Sequence, residues 1–131
     1  MKKLTLAALI ALMPASAIAE AAHGMWASER NEEGNWIEVN IQPCAGDAAL
    51  TCGTIARAMS ATGENTEYEH TGRMIIEDME VLDATRYANG TIWAPDDDKT
   101  YKSNMQVNGD TLTVKGCVLF ICRGQDWTRV N

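Results

Sequence analysis

The chain has 131 residues, with 18 acidic against 11 basic side chains, a formal charge of −7, four Cys and four Trp. Such a length holds one modest core. An acidic chain without basic runs and interleaved aromatics repels polyphosphate and anionic lipid headgroups, which leaves no case for nucleic-acid binding.

The first 19 residues read as a secretory signal. Lys2 and Lys3 precede an apolar stretch over residues 4–13, and Ala17-Ile18-Ala19 supplies the small residues of a cleavage site. The apolar part is too short to persist as a membrane-spanning helix, and no second apolar segment follows to suggest a retained anchor. Glu20, not cysteine, follows the cut, so no N-terminal lipid attachment is offered. The expected product is one periplasmic or secreted domain over residues 20–131.

Strand periodicity then runs along most of the chain. Gly24 and Trp26 open a first strand over 24–30, and a second over 35–43 alternates Ile37, Val39 and Ile41 with Glu38, Asn40 and Gln42. A third strand is expected over 51–59, after a turn bracketed by Cys44 and Cys52. Residues 61–71 are polar, show no strand pattern and read as the longest loop. A fourth strand over 73–80 leads into an ambiguous stretch, 79–87, where Met79, Leu82 and Arg86 also suit one face of a helical turn. Shorter signals at 90–94 and 99–107 follow, the latter placing Tyr101, Ser103, Met105 and Val107 on one face. Asn108-Gly109 then supplies the left-handed backbone of a tight hairpin into a strand over 111–118. The last strand, 123–130, carries Trp127 and Arg129. Eight short antiparallel strands in sequence, without a convincing helix, point to an all-β up-and-down barrel.

Four cysteines in an oxidising compartment read as two disulfides. Cys44 with Cys52 and Cys117 with Cys122 is the favoured pairing, because each pair brackets a short turn-like segment between neighbouring strands. A zinc site is disfavoured, since neither spacing is the tight pair that such sites use, and no C-x-x-C redox motif occurs.

Candidate chemistry is sparse. Asp96, Asp97 and Asp98 lack the ligand alternation, central glycine and distal glutamate of a calcium loop, so a solvated turn is expected. His23 and His70 have no ligand partner at useful spacing. No nucleophile elbow, zinc-protease helix, phosphate loop or dinucleotide fingerprint is present, so neither cofactor nor catalytic site is expected. Trp26 and Arg129 suit a structural role, an indole across the floor of a small barrel with a guanidinium laid over it, joining first strand to last. Trp36, on the polar face of its strand, is a candidate exposed binding aromatic, together with Tyr87, Trp93, Tyr101 and Met105.

Six short motifs appear in order. They are Gly24-x-Trp26, Ile41-x-Pro43-Cys44, Cys52-Gly53-x-Ile55, Gly90-x-Ile92-x-x-Pro95-x-x-x-Lys99-x-Tyr101, Leu112-x-Val114-x-Gly116 and Gln125-x-Trp127-Thr128-Arg129-Val130. In this order they resemble bacterial domain-of-unknown-function family 2147, across essentially the whole chain after the signal. The resemblance implies a secreted, lipocalin-like barrel and no assigned activity. Gly24-x-Trp26 with the late Arg129 is also similar to the wider calycin signature, whose barrels often hold small apolar molecules. One departure is Asp98, which stands where the family usually has glycine; aspartate tolerates the left-handed conformation, so the turn is expected to survive.

Two functions of different class follow. One is non-enzymatic binding of a small hydrophobic or amphipathic ligand at the open end of the barrel. The other is a solid barrel acting as an envelope interaction module for a protein partner. About eight residues per strand make a shallow barrel whose own side chains fill much of its interior, which speaks against a large lipid cavity.

Overall fold

Alternation decides the architecture. Along one strand Ser103, Met105 and Val107 are buried while Lys102, Gln106 and Asn108 are exposed, the period of two that turns one face to a core. Repeated along the chain, this pattern builds the computed structural model, which describes residues 21–130. Its strands are β1 (Gly24–Ala27), β2 (Trp36–Pro43), β3 (Leu50–Ser60), β4 (Gly63–Asn65), β5 (Met74–Val81), β6 (Arg86–Ala94), β7 (Lys99–Asn108), β8 (Thr111–Val118) and β9 (Ile121–Arg129). Among the described residues there is no helix. The expected signal sequence, residues 1–19, lies outside the described residues.

Eight strands close a ring. Each pairs antiparallel with the next, β1 meets β9 through Trp26 opposite Arg129, and β2 meets β3 along its full length. Only β4 stands outside the ring, paired to the end of β3.

The short β4 falls inside the segment expected to be a loop. Gly63, at φ 124°, closes the hairpin with β3, and Ser60 Oγ donates to the Gly63 carbonyl at 3.1 Å. Its residues are polar because it lies on the rim without a buried face, so the sequence carries no apolar alternation there. The ambiguous stretch 79–87 is also resolved: β5 runs to Val81 and β6 starts at Arg86, four residues earlier than expected. Met79, Leu82 and Arg86 share no face, since Met79 is buried while Leu82 and Arg86 are exposed; bulges interrupt the strand period on both sides of the turn. Asp78 at φ 57° and Asn89 at φ 61° each insert an extra residue, so Ile76 and Met79, three apart, are both buried, as are Tyr87 and Gly90.

Both disulfides join the expected partners, Cys44–Cys52 at the turn between β2 and β3 and Cys117–Cys122 across the hairpin of β8 and β9. Asp98 has φ 50°, so the aspartate does adopt the left-handed turn conformation, and its carboxylate accepts a hydrogen bond from Trp93 Nε1 at 2.9 Å.

One end of the barrel is shut. Trp26 donates through Nε1 to the Ala22 carbonyl at 2.8 Å, and the Arg129 guanidinium lies 4.2 Å from the indole centroid. That guanidinium also donates to the carbonyls of Ala21 and His23, while the Ala22 N–H donates to the Tyr87 hydroxyl. Residues 21–23 are thereby tied under the indole as a plug. Above it, Val39, Ile41, Ile55, Met105, Leu112, Val114 and Trp127 pack into one contiguous core.

Candidate functional site

The opposite end is open, and a cleft of two lobes occupies it. Both lobes are lined by Glu29, Ile92, Ala94, Asp97, Gln125 and Trp127, so they are parts of one depression. The first has a volume of about 530 Å³ and the second about 850 Å³. Pockets that hold small organic molecules span roughly 300–1,000 Å³. Trp127, buried, forms the base and donates through its indole N–H to Gln125 Oε1 at 3.0 Å.

The first lobe gathers several polar side chains beside its apolar wall. Asn31 Oδ1 accepts the backbone N–H groups of Glu33 and Asn35, which fixes the loop between β1 and β2. Glu29 is held by the Asp126 backbone N–H at 2.9 Å. Trp36 at the start of β2 is half-buried, because the Arg30 guanidinium lies 4.3 Å from its ring centroid. Across the lobe, Trp93 is clamped on three sides. Arg73 stacks at 3.3 Å from its centroid, His70 meets it edge-on at 4.9 Å, and Asp98 holds its indole nitrogen. Tyr68 beside them has its hydroxyl pKa pushed up, first by burial and then by the Asp96 and Glu69 carboxylates. Tyr68 lines the lobe, and its phenol, protonated at neutral pH, is able to donate a hydrogen bond there.

The second lobe is more apolar. Ile92, Tyr101 and Val114 form its inner wall, and residues 118–121 at the tip of the β8–β9 hairpin form its outer edge. Gly116 keeps the inner wall low, since a Cβ there would meet the Tyr101 Cβ at 3.4 Å. The Tyr101 hydroxyl donates to Asp97 Oδ2 at 3.3 Å.

Of the candidate ligand contacts, the structure brings Trp36, Trp93 and Tyr101 to the cleft. Tyr87 and Met105 lie in the packed core below it. The hairpin tip was not singled out in the sequence, although four apolar residues enclosed by two cysteines were a visible signal. Sulfur is spent elsewhere than on metal: Cys44, Cys52 and Asp78 place their ligand atoms within 4.8 Å of one another, but the two sulfurs are bonded to each other.

A closed, eight-stranded antiparallel ring with a plugged floor and an open mouth is a lipocalin-like barrel. It is similar to the solved structure titled "Protein HP1028 from the human pathogen Helicobacter pylori belongs to the lipocalin family", with a TM-score of 0.62 and 13% identity over 83% of this chain and 82% of that one. At that identity the likeness concerns the fold alone. Residues 24–129 match the family described as "Uncharacterized protein conserved in bacteria (DUF2147)", and the chain belongs to it. No curated protein matches the chain.

Proposed function

We propose that this protein is a periplasmic or secreted, non-enzymatic binder that holds one small amphipathic molecule in the cleft at its open end. The observation that carries this reading is one open cleft above a closed floor, mainly apolar in both lobes and more so in the second, with polar side chains at the edge of the first. An apolar portion of the ligand would lie along Ile92, Tyr101 and Val114, and its polar head would meet Arg30, Asn35 and the Tyr68 hydroxyl. Trp36 and Trp93 would flank the head, while Tyr87 and Met105 form the rigid base beneath. Two disulfides suit the oxidising compartment that this reading requires.

A fluorescent amphiphile tests it. Anilinonaphthalene sulfonate titrated into the mature protein is expected to saturate with one site, and Trp36→Ala is expected to weaken binding by about tenfold without changing the melting temperature. Non-saturable fluorescence, or an unchanged affinity in Trp36→Ala, would count against the cleft. The second reading, an envelope module that recruits a protein partner, draws on the exposed apolar hairpin tip. It leaves the volume of the cleft without a role.

A further inference from the structure

The most exposed apolar surface of the molecule is the hairpin tip beside the cleft. Val118 is 57% exposed, Leu119 90%, Phe120 100% and Ile121 71%, four consecutive side chains projecting from the rim. The disulfide Cys117–Cys122 ties the two strands one residue pair below Val118 and Ile121, so the projection is held in shape. Leu119 and Phe120 form its two-residue turn, and Leu119 has φ 54°. Turns of this kind favour glycine or asparagine at a left-handed position, and a bulky residue there is strained. The chain thus keeps an exposed leucine where glycine would fold better.

Basic residues gather at the base of the tip. Lys102 lies opposite Cys117 on β7, and Lys115 and Arg123 flank the tip on its own two strands. All three are exposed, and none makes an ion pair among the described residues. No acidic residue occurs between Asp110 and Asp126. Glu29 and Asp97 lie across the cleft and Asp126 farther along β9, where Thr113 Oγ1 donates to its carboxylate.

We propose that this tip is a docking finger that inserts into a lipid surface and seats the open end of the barrel against it. Stable protein partners bury about 800 Å² per side over some 20–30 residues, whereas this apolar surface is four residues on a narrow projection. Lipid accepts a narrow wedge because it needs no complementary shape. Apolar side chains with flanking cations are the combination that binds the interface of a bilayer. The whole chain is acidic, but fields fade over about 10 Å in salt, so the cations at the base of the tip act locally on a surface that the tip enters, while carboxylates elsewhere on the barrel are screened. The docking holds whether or not the cleft takes a ligand.

Flotation of the oxidised mature chain with vesicles tests the finger. With phosphatidylethanolamine vesicles containing one quarter phosphatidylglycerol, the parent is expected to float and Phe120→Asp to lose about a hundredfold in partitioning. Phe120 is fully exposed, so that variant is expected to keep the parent's melting temperature. Leu119→Gly separates a lipid-contacting role from a structural one: its melting temperature is expected to rise by about 4 °C while its partitioning falls by about tenfold. Lys115→Gln with Arg123→Gln is expected to weaken binding to these vesicles and leave binding to pure phosphatidylcholine unchanged. A parent that stays unbound at every lipid concentration would overturn the proposal. So would Phe120→Asp partitioning like the parent, or a parent dimer that Phe120→Asp dissociates while neither protein floats, which would make the tip a contact between copies.

Discussion

Trp26→Ala is expected to destabilise the barrel by about 3–5 kcal/mol, seen as a lower denaturant midpoint at unchanged slope. The indole is fully buried, so its removal leaves a cavity that eight hydrogen-bonded strands cannot collapse to fill. More than volume is lost. The Nε1 bond to the Ala22 carbonyl disappears, and the Arg129 guanidinium loses the face on which it rests. The plug at residues 21–23 then still holds the bonds from Arg129 and the one to Tyr87, but not the indole that covers it. Trp26→Phe restores part of the volume and the aromatic face but not the donor, and is expected to cost about 1–2 kcal/mol. A Trp26→Ala protein with the parent's midpoint would show that the indole is not the floor of the barrel.

Gly90→Ala is expected to cost about 3 kcal/mol by steric means alone. A Cβ at Gly90 would lie 2.5 Å from the Glu77 carbonyl oxygen and 2.8 Å from Met79 Sδ. Met79 is flexible and can retreat, but the carbonyl belongs to the backbone of the paired strand β5. Its crowding traces to the two facing bulges, which turn Met79 inward over Gly90. Gly46→Ala is the matched control, since nothing lies within 4 Å of a Cβ there, and it is expected to fall within about 0.5 kcal/mol of the parent. Equal midpoints for the two variants would contradict the close approach of β5 and β6.

The ring was legible where strands are regular and one-sided. Ile37 to Ile41, Tyr101 to Val107 and Leu112 with Val114 alternate because each has one face on the core, and Asn108-Gly109 marks its hairpin through backbone chemistry. Legibility failed at the bulges, where an inserted residue breaks the period of two, and at the turn between them, where exposed Leu82 and Arg86 fell by chance at helical spacing from Met79. It failed again at β4, whose polar residues pair by backbone alone on the rim. Both disulfides were within reach of spacing, because each closes a turn between sequential strands.

The cleft was harder to read. Trp36 sits on the solvent side of its strand by alternation, yet Arg30 from the preceding loop covers it, and a stacking partner in a loop has no periodic signature. Tyr87 and Met105 share the residue types of pocket walls but lie lower in the barrel, and sequence spacing carries no information about height. The tip at residues 118–121 obeys strand alternation in neither burial nor polarity, and only its exposure distinguishes it from a buried strand.

Native mass spectrometry of the protein purified from its own host would test amphiphile binding, with the denatured mass recorded beside it. The expected result is a native mass exceeding the denatured mass by one small organic molecule of a few hundred daltons, in a one-to-one ratio, which Trp36→Ala diminishes. A bare native mass that remains bare after incubation with amphiphiles of graded chain length would contradict a binding cleft at the open end.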